Sequence, residues 1–310
     1  MTVYIDKDAN LTPETIANKA LEILRNSSFL IDKIAKDKDY VDVDQEATFK
    51  KGDSVKISSL GTLTVRDKAA QTDMTVEEPT TSQVTLSINK HKYVHWGQED
   101  VAALHSMINA GEGYVAEGMR AIAETIDSDI LALYASLSAS TGVAGTDATR
   151  DLIVDTRKTL TDGKIPQGDR YFFWSAKDEA ALLKEDDFAK ASSIGDAQAS
   201  DLNTNGLIGG RKILGFAHYV HQAIPTTGSS PTATHNVAFH KTAFVIGFRN
   251  LGMDGAKYGV EQTYVFDPVM GVGIRYTKSY DHGALAVVYS LDVLYGVAVL
   301  RNAAGVHVLT

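Results

Sequence analysis

Cysteine is absent from this chain of 310 residues, so disulfides, thiolate metal sites and cysteine nucleophiles are excluded together. Proline is scarce, six residues against 25 glycines, and a composition 44% hydrophobic and 22% charged leaves no room for a long disordered or collagen-like tract. No stretch approaches the ~18 consecutive apolar residues that a membrane span needs. Positive charge is in deficit: 30 Lys and Arg against 39 Asp and Glu give −9. That balance argues against gripping nucleic acid by neutralising phosphates, though not against standing beside it. MTVYIDKDANLTPE has no basic segment followed by an apolar core, so no secretory signal is expected. Without one, the Asn26-Ser27-Ser28 sequon reads as chance. HExxH and GxSxG are missing too.

What is present is pattern. Residues 12–36 predict one amphipathic helix, with Thr12 as cap, Pro13 in the first turn and Ile16, Ala20, Leu24, Ile31 and Ile34 along one face. KDKDYVDVDQE (36–46) then reads as a solvated connector. From Thr48 to Trp96 the period changes to two: Val55 and Ile57, Leu63 and Val65, then Val84, Leu86 and Ile88. The intervening DKAAQTDMTVEEPTTS (67–82) is too polar for a core, so the segment predicts a long two-stranded hairpin. An isolated hairpin is marginal in water, so this one needs a partner surface. Residues 98–137 carry one helical stripe from Leu104 through Ile108, Val115, Met119, Ile122, Ile126, Ile130 and Leu133 to Leu137. At 1.5 Å per residue such a helix runs about 60 Å, longer than the ~50 Å diameter of a compact chain of this size. Gly111, Gly113 and Gly118 are where it could bend or break.

Beyond it, 140–149 reads as a loop, 150–160 as a helix, 169–175 as a buried strand and 176–190 as a helix. Residues 191–205 read as a polar loop, 206–224 as short strands around glycine turns and 226–236 as a flexible insert. Four strand-rich stretches follow, 237–248, 259–268, 271–290 and 295–310.

Candidate chemistry is thin. His218 and His221, three apart on a strand, leave opposite faces and share no metal; one packed and one solvated histidine is the expectation. His91 and His95 have no third ligand near. Asp127 and Asp129, two apart on the long helix, do not face each other and read as solvated or as subunit contacts. Gly206-x-x-Gly209-Gly210-Arg211-Lys212 has glycines and cations but lacks the Lys-Ser/Thr ending of a phosphate loop, and a strand follows instead of a helix. A hairpin turn is expected there. No catalytic, cofactor-binding or metal-ligating residue is assigned.

The order of parts is more informative. FKKGDSVKISSLGTLTVRD (49–67), SQVTLSINKHKYV (82–94), AEGMRAIAETIDSDILALYASL (116–137), GLIGGRKILGFAHYV (206–220) with NVAFHKTAFVIG (236–247), and LYGVAVLRNAAGVHVL (294–309) resemble stretches of tailed-bacteriophage major capsid proteins. The resemblance covers nearly the whole chain and implies the HK-ninety-seven-like α+β fold. Residues 1–47 are then the N-terminal arm, 48–96 the E-loop hairpin and 97–138 the P-domain spine helix. Residues 139–236 are the α/β A-domain, 237–288 the P-domain strands and 289–310 a return into the A-domain. It implies hexamers and pentamers closing an icosahedral shell around double-stranded DNA, with portal and separate scaffolding proteins as partners and assembly in the host cytoplasm.

On this reading the chain is not an enzyme and uses no cofactor. Inter-subunit contacts are expected at Leu24, Ile31, Arg66, Asp67, Lys68, Glu77 and Glu78. Some relatives crosslink a lysine to a neighbour's asparagine; no such pair is assigned, and Lys68 is where to look. A cargo shell of the encapsulin type and a tail-tube subunit are the alternatives.

Overall fold

The computed structural model describes residues 13–27, 30–39, 54–60, 63–68, 70–74, 76–78, 81–100, 110–185, 211–253, 255, 259–267 and 271–310. Helix α1 (Pro13–Ser27) buries Ile16, Ala17, Ala20 and Leu24 at spacings of one, three and four. It stops well short of residue 36. Asn26 and Ser27 favour leaving a helix because their side chains compete for backbone groups. Ile31 and Ile34 are buried as expected, but from a 3-10 turn (Ile31–Lys33) and its exit into the short strand β1 (Ala35–Lys36). The connector expected from residue 36 is not solvated where it is described: Lys36 lies in β1 and Asp37 is buried.

Strands β2 (Ser54–Leu60) and β3 (Thr81–Ser87) form the expected antiparallel hairpin, with Val55 opposite Leu86 and Ile57 opposite Val84. The hairpin ends earlier than its period-two pattern suggested. After Ile88 the chain starts a separate strand, β4 (Lys90–Glu99), which pairs along its whole length with β14 (Ala286–Val299). A ten-residue ladder in a covered sheet satisfies more backbone than an extended free hairpin does. Residues 98 and 99, expected in the long helix, therefore belong to a strand.

Helix α2 (Ala110–Leu131) carries the apolar stripe and is followed by a 3-10 turn, Ala132–Ser136. Leu104 and Ile108 lie outside the described residues. The glycines do not break the helix. At Gly118 an added Cβ would stand 3.4 Å from Val94 and 3.5 Å from Leu291, so the missing side chain lets α2 settle onto β4 and β14.

The first sheet runs β1-β11-β14-β13-β12, with β4 on the other side of β14; β11 is Phe244–Arg249, β12 Glu261–Asp267 and β13 Val272–Asp281. Helices α1 and α2 lie against each other on one face, α1 over β12 and β13, α2 over β14 and β4. The second sheet runs β5-β15-β10-β6-β8-β7, with β9 (Thr226–Thr227) at the end of β10. Its strands are β5 (Ala139–Gly142), β6 (Arg170–Trp174), β7 (Arg211–Ile213), β8 (Phe216–Val220), β10 (Ala233–His240) and β15 (Gly305–Leu309).

Helix α3 (Arg150–Asp162) is capped by the Thr149 hydroxyl and α4 (Ala176–Lys184) by that of Ser175. Two stretches expected as loop or insert are partly strand. Residues 139–142 pair in parallel with β15, and 226–227 with the start of β10. Residues 206–210 of the glycine-rich segment, where a hairpin turn is expected, lie outside the described residues; a turn at Leu214-Gly215, both at positive φ, joins β7 and β8. One apolar core runs continuously under both sheets, and β14 crosses residue 289 unbroken, so the passage between sheets lies at 300–304.

Candidate functional site: the projecting hairpin and its seat

The hairpin is seated by two glycines. Gly247 of β11 and Gly296 of β14 are cross-strand partners. A Cβ on Gly296 would stand 2.2 Å from the Ser87 carbonyl oxygen, and one on Gly247 would stand 2.7 Å from the Asp37 carboxylate and 2.9 Å from Leu86. The two missing side chains make a shallow channel through which the end of the hairpin crosses the sheet. Asp37 closes one side, accepting a hydrogen bond from Arg249 at 2.5 Å. Val55, Ile57, Leu86 and Ile88 pack there with Val245 and Leu294 as a small core on the face opposite the helices. Each fully buried aliphatic side chain is worth about 1.5–3 kcal/mol, so the chain holds this root itself.

The tip is different. Leu63 is 66% exposed, Val65 96%, Met74 77% and Val76 89%: apolar residues that none of the described residues covers. What order the tip has is polar. Glu77 accepts from the Thr64 backbone N–H (3.0 Å) and from its hydroxyl (3.1 Å), with Arg66 4.0 Å away. A shallow cavity of about 420 Å³ lies among Leu63, Arg66, Lys68, Met74 and Glu77.

The expected contact residues divide accordingly. Arg66, Asp67, Lys68 and Glu78 are exposed on the tip, and Glu77 is half-buried as its internal organiser. Leu24 and Ile31 are fully buried in the chain's own core, Leu24 on the inner face of α1, so neither has surface to offer a neighbour. Sequence reading also missed the exposed apolar set at the tip. Leu63 and Val65 alternate as in a strand, but residues 63–68 carry no ladder and both side chains face outwards.

Away from the hairpin, several buried or half-buried titratable groups hold the fold together. Asp292 takes two hydrogen bonds from Arg275 (3.1 and 2.6 Å) and lies 2.7 Å from His91 Nε2, joining β13, β14 and β4. Asp127 and Asp129 diverge, as their spacing requires. Asp129 receives the Tyr295 hydroxyl at 2.6 Å and Lys90 at 2.9 Å. Burial raises its pKa, but the Tyr295 hydrogen bond and the Lys90 and Lys92 ammoniums outweigh that and hold it below the usual carboxylate range. Asp127 is not solvated: it is buried, 3.3 Å from His221 Nε2. His221 is buried with it, so both histidines of the 218/221 pair are packed.

His218 accepts the Trp174 indole N–H on Nδ1 at 2.8 Å and faces the Ile213 carbonyl with Nε2 at 3.1 Å, which fixes one neutral tautomer. Burial pushes its pKa down to about 4. His235 and His307 share one proton across 2.8 Å, under the stacked ring of Tyr134. Burial lowers both, and for His307 the neighbouring His235 adds to it. Among the described residues no three His, Asp or Glu stand together in a metal-binding group.

Two sheets over one core, a helix of about six turns and a hairpin seated on the first sheet make up the described architecture. The mixed α+β chain has the fold of phage capsid proteins. No family model matches it, and no curated protein matches it in sequence. Among solved structures, it is similar to one from Mycobacterium phage Che8 at 20% identity and a TM-score of 0.66, covering 91% of this chain and 90% of that one. It is similar to the capsid of cyanophage P-SCSP1u at 13% identity and a TM-score of 0.59, covering 84% of each chain. It is also similar to a virus-like particle from Pyrococcus furiosus at 11% identity and a TM-score of 0.54, covering 95% of this chain and 98% of that one. At these identities the likeness is one of fold.

Proposed function

We propose that the chain is a major capsid protein that self-assembles as hexamers and pentamers into an icosahedral shell enclosing double-stranded phage DNA. On this reading residues 1–47 are the N-terminal arm, 48–96 the E-loop and 97–138 the spine of a P-domain completed by 237–288. Residues 139–236 are the proposed A-domain, with 289–310 as the return to it, of which the part up to Val299 still runs in β14 of the first sheet. The observation that carries the proposal is the hairpin: its root is packed on its own sheet, while Leu63, Val65, Met74 and Val76 at the tip are left for another surface. On this reading a second copy covers that surface, which the likeness to phage capsids supports, and the protein is structural and not an enzyme. Arg66, Asp67, Lys68, Glu77 and Glu78 are the polar contacts proposed around the apolar tip. Portal and scaffolding proteins are proposed partners, with assembly in the host cytoplasm.

Electron microscopy of the expressed protein, alone and with the phage's own assembly factors, together with a solution mass, tests this. Closed particles built of a 33.4 kDa subunit are the expected result. A monomer that never assembles under either condition contradicts it. The near-complete overlap with the virus-like particle supports a second reading, a shell for cargo other than a genome. Nucleic acid inside phage-assembled particles decides between the two.

A further inference from the structure

The negative total charge conceals a local excess of the opposite sign. A cavity of about 350 Å³ opens where the turn after α1 meets the second sheet, lined by Lys33, Asp169, Arg170, Tyr171, Lys212 and Tyr219. The Arg157 guanidinium borders it, 3.5 Å from where a Cβ on Gly215 would be. Lys33, Arg157 and Lys212 have no carboxylate partner among the described residues, and the Lys33 ammonium lies 5.5 Å over the Tyr219 ring. Arg170 is fixed by carbonyls and a hydroxyl, not by an acid: Nε donates to Pro166 O, one terminal nitrogen to Ile165 O and the other to the Thr161 hydroxyl. Two ammonium groups, Lys33 and Lys212, thus line the cavity with one carboxylate, Asp169, while the Arg157 guanidinium borders it at Gly215 and Arg170 stands in its wall. Burial keeps the Tyr171 and Tyr219 phenols above their usual pKa, so both stay protonated and able to donate.

Converging ammonium and guanidinium groups with hydroxyl donors match a tetrahedral, multiply charged oxyanion better than a planar carboxylate. We propose that this cavity is a phosphate-group site, taking a phosphodiester of the nucleic-acid backbone or a free phosphate. The first source rests on the shell reading above and would turn this face of the subunit towards the genome; the second does not depend on it.

The test uses the full-length protein. Inorganic phosphate binding is followed by 31P NMR, and binding of a 20-base-pair duplex by fluorescence anisotropy over a range of salt. The double variant Lys33→Gln/Lys212→Gln is compared with Lys158→Gln, which removes an exposed charge from α3 outside the cavity. Thermal melting shows that each variant folds. The expectation is a loss of about tenfold or more in phosphate affinity in the double variant only. If the duplex is the ligand, the slope of log K against log salt also falls by about 2, since each phosphate contact contributes about 0.9. Phosphate binding lost without any change in duplex binding assigns the site to free phosphate.

A double variant that binds both probes like the parent overturns the proposal. So does a parent that binds neither while the variant loses assembly, which would give the cations to an acidic segment of a second copy. Particle formation by the same samples keeps the two readings apart: phosphate binding by a chain that never assembles sinks the shell reading and leaves this site standing.

Discussion

At the scale of a single residue, His218 shows how the fold fixes a protonation state. The Trp174 N–H occupies one ring nitrogen and the Ile213 carbonyl the other, so a second proton would have to displace the indole. The unfolded chain protonates near 6.5, whereas the folded ring resists until about 4. Stability contributed by this group is therefore full above about pH 6.5 and falls as the pH drops towards about 4, by an amount on the order of 3 kcal/mol. His235, His240 and His307 are lowered as well and act in the same direction. Urea unfolding of dilute subunits across that window should show the loss, and His218→Gln should reduce it.

Gly296 allows a second prediction. Gly296→Val pushes a side chain into the Ser87 carbonyl and should cost roughly 1–3 kcal/mol by overpacking. Limited proteolysis should find the hairpin released while the two sheets stay protected. Neither role was legible beforehand. The partner of His218 is 44 residues away, and a glycine's value as a seat appears only once another strand lies over it.

At the scale of elements, apolar periodicity located α1, α2, α3, β6 and the hairpin, because each carries its own stripe. It failed where the partner decides. Residues 90–99 alternate like the rest of the hairpin, yet their ladder with β14 puts them in another sheet. The short polar β5 is a strand because β15 lies beside it, not through its own propensity. A mixed pattern also hid the sheet's buried ion cluster. Asp292→Ala leaves the half-buried Arg275 guanidinium beside His91 without its carboxylate, and should cost about 1–3 kcal/mol, read as a lower urea midpoint. The hairpin makes the opposite prediction. Val65→Asp with Val76→Asp places charge on a surface the monomer leaves open, so melting should be unchanged while assembly is lost. A variant that assembles normally would remove the tip from the interface.

At the scale of the whole molecule, the sequence pointed to an elongated subunit through its long helix and its arms. The described part of that helix is 22 residues, about 33 Å at 1.5 Å per residue, and residues 101–109 of the stripe lie outside the described residues. The −9 total says nothing of where charge sits, and Lys33, Arg170 and Lys212 line one cavity with Arg157 at its border. Summed composition cannot report how charge is distributed, and only the fold brings residues 33, 157, 170 and 212 together.

The join between hairpin and sheet has a mechanical meaning. The chain leaves Ser87 and enters β4 within three residues, and β4 runs antiparallel to β14 over ten paired positions. In such a ladder the hydrogen bonds lie across the strands. Tension drawn on the hairpin therefore enters the sheet at the Lys90 end of β4, and the ten paired positions behind it tie the arm to β14. A subunit held by this arm is anchored through a strand of its own core sheet and not through the small apolar root alone.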